Sequence, residues 1–347
     1  MNSVSRHLAG AAALLVGVLA PCRADGPYHF SRQIPIGGDE GWDYMQVDGG
    51  ARRLYVSHGG KVVVIDIDRL VVCGEIDGTP GVHGIALAPE LGRGFTSNGR
   101  EGRAGIFDLA TFQVLSKVET GENPDAILYV PGLREVYTFN GRSRSATAFG
   151  AASGRVLATI PLPGKPEFAA VDPEAGRIYD NIEDRNEIAV IDAGTHRVTA
   201  LWPIAPGESA SGLAIDTEHH RLFAGCHNRL MAVIDSTDGR VVATVPIEPG
   251  VDANAFDPGT QLAFSSNGAG TVTVVREETA ERFTVVQTLA TRRGARTMAL
   301  DPGTHAIFLA DADFEPQPEA QPGEPRRWPK TVPGTFKILV YSYAGKP

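Results

Sequence analysis

Apolar residues along this chain fall in short alternating runs and never settle into the three-to-four-residue spacing of an amphipathic helix. Runs such as LYVSH, VVVIDI, VYTFN, IAVIDA and MAVIDS are rich in β-branched and aromatic residues and are bounded by Gly, Pro and Asp. The pattern predicts an all-β protein built from short strands and tight turns, with few helices.

The runs also recur. Aligning the residue just ahead of each first apolar run gives Asp43 (WDYMQVD), His83 (VHGIALAP), Asp125 (PDAILYVP), Glu167 (PEFAAVDP), Ser211 (ASGLAID), Asp252 (VDANAFDP) and Arg296 (ARTMALDP), spaced by 40, 42, 42, 44, 41 and 44 residues. Each unit reads strand, Asp/Pro/Gly turn, strand, strand, hairpin turn, strand. Such a repeat predicts a seven-bladed β-propeller of four-stranded antiparallel blades. The last unit stops one strand short, and YHFSRQIPIGG (28–38) resembles the fourth strands TALWPIAPG and VATVPIEPG. The N-terminal strand is therefore expected to complete the last blade and remove an exposed edge, making 25–347 a single domain.

The segments LYVSHGG, FTSNG, YTFNG and FSSNG, followed by VID-type strands, resemble the YVTN β-propeller repeat family, the YncE-like proteins. The resemblance spans about residues 28–345. It implies an exported propeller and says little about a ligand, because one fold hosts many activities.

Composition adds limits. With 347 residues, 42% of them hydrophobic and 21% charged, the chain has the balance of a folded domain. Residues 1–24 join Arg6 and His7 to the apolar LAGAAALLVGVLA and a small Ala24, the layout of a signal peptide, so a periplasmic or secreted protein is expected. No other run is long enough to cross a membrane. The formal net charge of −9 argues against nucleic-acid partners, which need clustered Lys and Arg. A monomer is expected, and Cys73 and Cys226 are not expected to pair.

Candidate chemistry follows from topology. In a propeller, the blade-to-blade connections and the hairpins between second and third strands share one face, so the seven aligned residues are expected to ring one channel mouth. The ends of the second strands, His58, Asn98, Asn140, Glu183, Cys226 with His227, Asn267 and Asp311, are expected beside them. The ligand-binding candidates are Asp43, His58, His83, Asp125, Asn140, Glu167, Glu183, Ser211, His227, Asp252 and Arg296. A structural role competes for each Asn, since Asn-Gly is itself a turn signal. It competes less well for the first ring, where one position holds Asp, His, Glu, Ser and Arg. Cys226 is expected to be buried with His227 facing the mouth, or the reverse, and not to act as a nucleophile.

His83, Asp125 and Glu167, joined by Asp43 or Asp252, form an alternative metal set suited to a divalent ion such as calcium, manganese or zinc. Such an ion polarises a lactone carbonyl while a carboxylate activates water, as lactonases on propeller folds suggest by analogy. No serine-hydrolase elbow, HExxH, haem-attachment or phosphate-loop motif is found, so haem and nucleotide cofactors are not expected. Residues 314–334 (FEPQPEAQPGEPRRWPKTVPG) interrupt the last unit; rich in Pro, Glu and Gln, they are expected to form an extended loop over the same mouth, with Trp328, Arg326, Arg327 and Lys330 as its basic-aromatic patch. The sequence thus points to a binding module for a small polar ligand or a periplasmic protein, with a metal-dependent hydrolase of the lactonase type as the alternative.

Overall fold

Seven four-stranded antiparallel sheets follow one another around a ring in the computed structural model, which describes residues 26–39, 41–316 and 329–345. Residues 1–24, expected from their sequence to be a signal peptide, lie outside the described residues, as do Arg326, Arg327 and Trp328. Six blades are continuous in sequence. The seventh takes its first three strands from Met298–Asp301, Ala306–Asp311 and Lys337–Tyr343. Its fourth is Tyr28–Pro35, which pairs antiparallel with Lys337–Tyr343, as the sequence pattern anticipates. Among the described residues the only helices are two short 3-10 turns, Pro89–Leu91 and Glu183–Arg185, and no helix is long and apolar enough to cross a membrane.

Alternation explains why the blades stack. Residues of the three inner strands are buried almost throughout, so each sheet meets a neighbour on both faces, while fourth strands alternate and lie outermost. The core is a series of inter-blade clusters; one joins Ile178, Ile182 and Ala189 of the fourth blade to Ala126, Leu128 and Tyr137 of the third. Hydrogen bonds stitch the same seams: the Tyr137 hydroxyl donates to the Ala193 carbonyl at 2.8 Å and the Tyr179 hydroxyl to the Ser236 carbonyl at 2.9 Å. At the closing seam Tyr28 is 2% exposed, packs edge-on against Phe264 at 5.3 Å and donates its hydroxyl to the His305 carbonyl.

Most of the recurring aspartates serve turns. Asp48, Asp172, Asp216, Asp257 and Asp301 end first strands, and each accepts backbone N–H bonds from residues two or three further on. Asp66, Asp108, Asp192 and Asp235 do the same where third strands end. All of these lie on the face opposite the starts of the first strands.

Candidate functional site at the channel mouth

The ring positions owe their freedom to a break in the sheet. In blades two to six the pairing of first and second strands skips the ring residue and its successor, for example between Pro124 and Ile127 and between Val251 and Asn254. In blades one and seven the first strand starts only at Met45 and Met298, beyond the ring residue. The bulge turns the ring side chain out of the ladder. Its backbone groups are satisfied from the second strand instead. Ser57 Oγ accepts from the N–H groups of Asp43 and Tyr44, and Ser97 accepts from Gly84 while donating to the Asp125 carbonyl. Asn181 donates to the Ser211 carbonyl at 2.8 Å, and Ser266 to that of Arg296.

Six of the seven ring residues, Asp43, Asp125, Glu167, Ser211, Asp252 and Arg296, line one cavity of about 170 Å3. The seventh, His83, hydrogen-bonds Asp43 through Nδ1 and lies 3.7 Å from an Asp125 oxygen. Three arcs result. Asp43, His83 and Asp125 offer ligand atoms that all lie within 4.8 Å of one another. Lys165 bridges Glu167 at 2.8 Å and Glu183 at 2.5 Å, with His227 3.9 Å from Glu183. Arg296 stands 3.6 Å from Asp252, whose other oxygen accepts from Thr297.

Carboxylates outnumber their counter-ions here, and their protonation shows it. Burial first, and the Asp43 charge second, push Asp125 up to about 8. Burial likewise raises Glu167 against the opposing pull of Lys165, and raises Asp252 against that of Arg296. For His83 burial is the largest influence and favours the neutral ring, but Asp43, Asp125 and Glu167 together outweigh it and raise the pKa. Behind them Asp180 stands where blades two, three and six carry Thr96, Thr138 and Ser265; it is wholly enclosed, and burial holds it well above the ordinary carboxylate range.

The floor of the cavity is aromatic. The residues after the ring positions are Tyr44, Gly84, Ala126, Phe168, Gly212, Ala253 and Thr297, large only in blades one and four. Tyr44 and Phe168 reach across and stack at 5.2 Å, closing the channel beneath the carboxylates. Elsewhere smallness is obligatory: a Cβ on Gly212 would sit 2.5 Å from the Asn254 nitrogen, inside the next blade's backbone. Beside the cup, Gly41, Trp42, Gly294, Phe314 and Thr331 line an adjoining cavity of about 220 Å3 that shares Arg296 and Thr297 with it. Phe314 and Thr331 are the described base of the 314–334 insertion, bridged to each other.

The second-strand ends are placed differently. Asn140 is fully buried and gives its amide to Ser145 and Thr147; Asn267 gives its own to Thr273 and the Ser265 carbonyl. Neither lines the cup. His58 is 1% exposed and stacked on Phe336 at 4.5 Å, and Asp311 is enclosed with Arg292 at 2.6 Å. Cys226 is buried, its thiol pushed up to about 11 by burial, and His227 beside it is exposed. Glu183 and His227 stay near the rim through Lys165. The metal set is also rearranged: Asp43 joins His83 and Asp125, whereas Glu167 is held by Lys165 and lies outside that trio. Lys165, Tyr44, Phe168 and Trp42 escape an analysis centred on one aligned column, although each sits within two residues of a ring position.

The sequence matches no family profile and no curated protein. Similar solved structures include the Kuenenia stuttgartiensis hydrazine synthase, 14% identical with a TM-score of 0.68 over 86% of this chain and 96% of that one. Another is U3-55K, 11% identical with a TM-score of 0.73 over 91% and 99%. At such identities the likeness is one of fold. The molecule is a seven-bladed β-propeller with an acidic cup at one end of its axis, and the propeller is a general scaffold for interaction.

Proposed function

We propose that this protein is an exported, YncE-like binding module of the YVTN type whose cup captures a cationic group carried by a small polar ligand or by a partner protein. The observation that carries this reading is the surplus of carboxyl groups, Asp43, Asp125, Glu167 and Asp252, around one cavity. A positive charge entering it replaces protons that burial now holds on Asp125 and its neighbours. About 170 Å3 is below the size of an ordinary small-molecule pocket, so the cup takes one functional group, such as a primary amine. The rest of the ligand has the neighbouring Trp42 and Phe314 surface to lie on, and Trp42 suits an amine-bearing apolar body. Export rests on the N-terminal sequence layout and on the family resemblance.

One observation favours a second reading, a metal-dependent hydrolase: the Asp43, His83 and Asp125 trio has the donors for a divalent ion, with Glu167 within electrostatic reach as a base. Calorimetric titration of the protein from residue 25 onward, with a series of aliphatic amines and amine-bearing peptides in EDTA, tests the first reading. Binding that weakens at least tenfold in Asp125→Asn and Glu167→Gln supports it. If no amine binds, yet calcium or manganese binds in the chelator's absence and lactone hydrolysis follows, the hydrolase reading replaces it.

A further inference from the structure

Blade six breaks the repeat at one buried position. In blades one to five the residue after the third strand, Ile67, Leu109, Ala151, Ala193 or Ser236, donates its backbone N–H to the residue just ahead of the second strand, and in blade six Glu277, within Thr271–Thr279, makes the equivalent bond to Gln261. Five blades therefore place an apolar side chain or a small serine at this point, packed against the preceding blade, as Ile67 and Ala151 are. Blade six places a carboxylate there. Glu277 is 5% exposed, and neither of its oxygens has a hydrogen-bond partner.

Facing it from blade five is the turn after the first strand. Asp216 is buried at its end, and His219 follows three residues on, its Nδ1 2.7 Å from Asp216 and 3.6 Å from Glu277. Ligand atoms of Asp216, His219 and Glu277 all lie within 4.8 Å of one another. Turn chemistry accounts for Asp216, which accepts the Glu218 N–H, but it does not account for an unbonded glutamate aimed at the same spot. Nearby Arg221 does not neutralise Glu277 directly, its guanidinium being committed to Asp235 and the Ala280 and His220 carbonyls.

We infer that Asp216, His219 and Glu277 form a divalent transition-metal site clasping blades five and six on the face opposite the cup. One imidazole and two carboxylates suit zinc better than calcium or magnesium, which prefer all-oxygen shells. The half-exposed His219 leaves a coordination position open to water. Bringing three donors to one ion needs the ligand atoms about 3.3 Å apart, a small adjustment of an exposed turn.

The test is zinc binding, by calorimetry and metal analysis, to the protein carrying His83→Ala and Asp125→Asn, which removes the cup's own trio. One zinc per chain is expected in that background, with affinity falling about 100-fold when His219→Ala or Glu277→Gln is added. A hundredfold excess of zinc over its dissociation constant should raise the melting temperature by about 4 °C. Glu277→Leu, which restores the apolar residue of other blades, keeps the protein folded in chelator and abolishes the zinc-dependent shift. Unchanged zinc affinity in His219→Ala and Glu277→Gln, or no zinc bound in the His83→Ala, Asp125→Asn background, overturns the inference. Neither result bears on amine capture at the cup.

Discussion

Replacing Asp125 by Asn tests the electrostatics of the cup directly. The two side chains have nearly the same shape, so the change removes an ionisable group and little else. In the folded protein Asp125 holds its proton up to about 8, whereas in the unfolded chain it ionises near 3.8. Between those values the native state carries a proton that the unfolded state has lost, so its contribution to stability is complete below about 4, declines as pH rises, and is gone above about 8. Once pH passes 8 the full displacement is worth at most ~6 kcal/mol, and solvent screening of a side chain that is 16% exposed trims this to about 2–4 kcal/mol. His83, also raised, adds a decline of the same sense in the wild type, and a smaller one in the variant because Asp125 is one of the charges that raise it. Thermal melts in EDTA should show wild type and Asp125→Asn melting together at pH 4.5, and the variant melting about 3–6 °C higher at pH 8.5. An equal offset at both pH values, or a variant that melts lower at pH 8.5, refutes the claim that ionising Asp125 strains the cup.

Other outcomes follow from packing and access. Tyr28→Ala should cost about 3–5 kcal/mol in urea denaturation, against ~1 kcal/mol for Tyr28→Phe, which loses only the bond to His305; a loss below 1 kcal/mol for the alanine variant would show that the seventh blade does not depend on this ring. Gly212→Ala should destabilise by about 1–3 kcal/mol and weaken amine binding, because the added Cβ forces blades five and six apart beside Ser211 and Asp252; crystals showing unchanged spacing would contradict this. Ellman's reagent at pH 8 should modify Cys73 rapidly and Cys226 only on denaturation, and fast modification of both would mean that the fifth blade opens.

Much of the architecture was legible because a propeller writes its geometry as spacing. The 40–44-residue repeat, the Asp-Pro-Gly turns and the strand missing after Tyr343 together specify the ring and its closure. The aligned column also holds the six residues that line the cup, Asp43, Asp125, Glu167, Ser211, Asp252 and Arg296: where the first strand is long a bulge frees this position from the ladder, and in blades one and seven the strand begins beyond it. The second-strand ends are less legible, because polarity in a strand does not distinguish exposure from buried hydrogen bonding. Asn140 and Asn267 are polar in order to satisfy buried hydroxyls on neighbouring strands, which no linear pattern distinguishes from facing a ligand. Tyr44 with Phe168, and Glu277, were visible as departures within a column: two large residues among small ones, and one charge among apolar and small ones. Their meaning needed the third dimension, because only the fold shows that blades one and four face each other across the channel and that His219 lies against Glu277.

The pairing of Tyr28–Pro35 with Lys337–Tyr343 also sets an order of events in time. The strand Tyr28–Pro35 is made before any blade and placed only after the other six blades, because its partner Lys337–Tyr343 follows them in the chain. Until then Tyr28, Phe30 and Ile34 have no sheet to join, and each nascent blade shows its neighbour's face to whatever surrounds it. A chain that stopped before Lys337 would leave two orphaned edges, at Tyr28–Pro35 and at Ala306–Asp311. The circle therefore works as a proofreading step: only a copy that carries both Tyr28–Pro35 and Lys337–Tyr343 can hide its own hydrophobic seams.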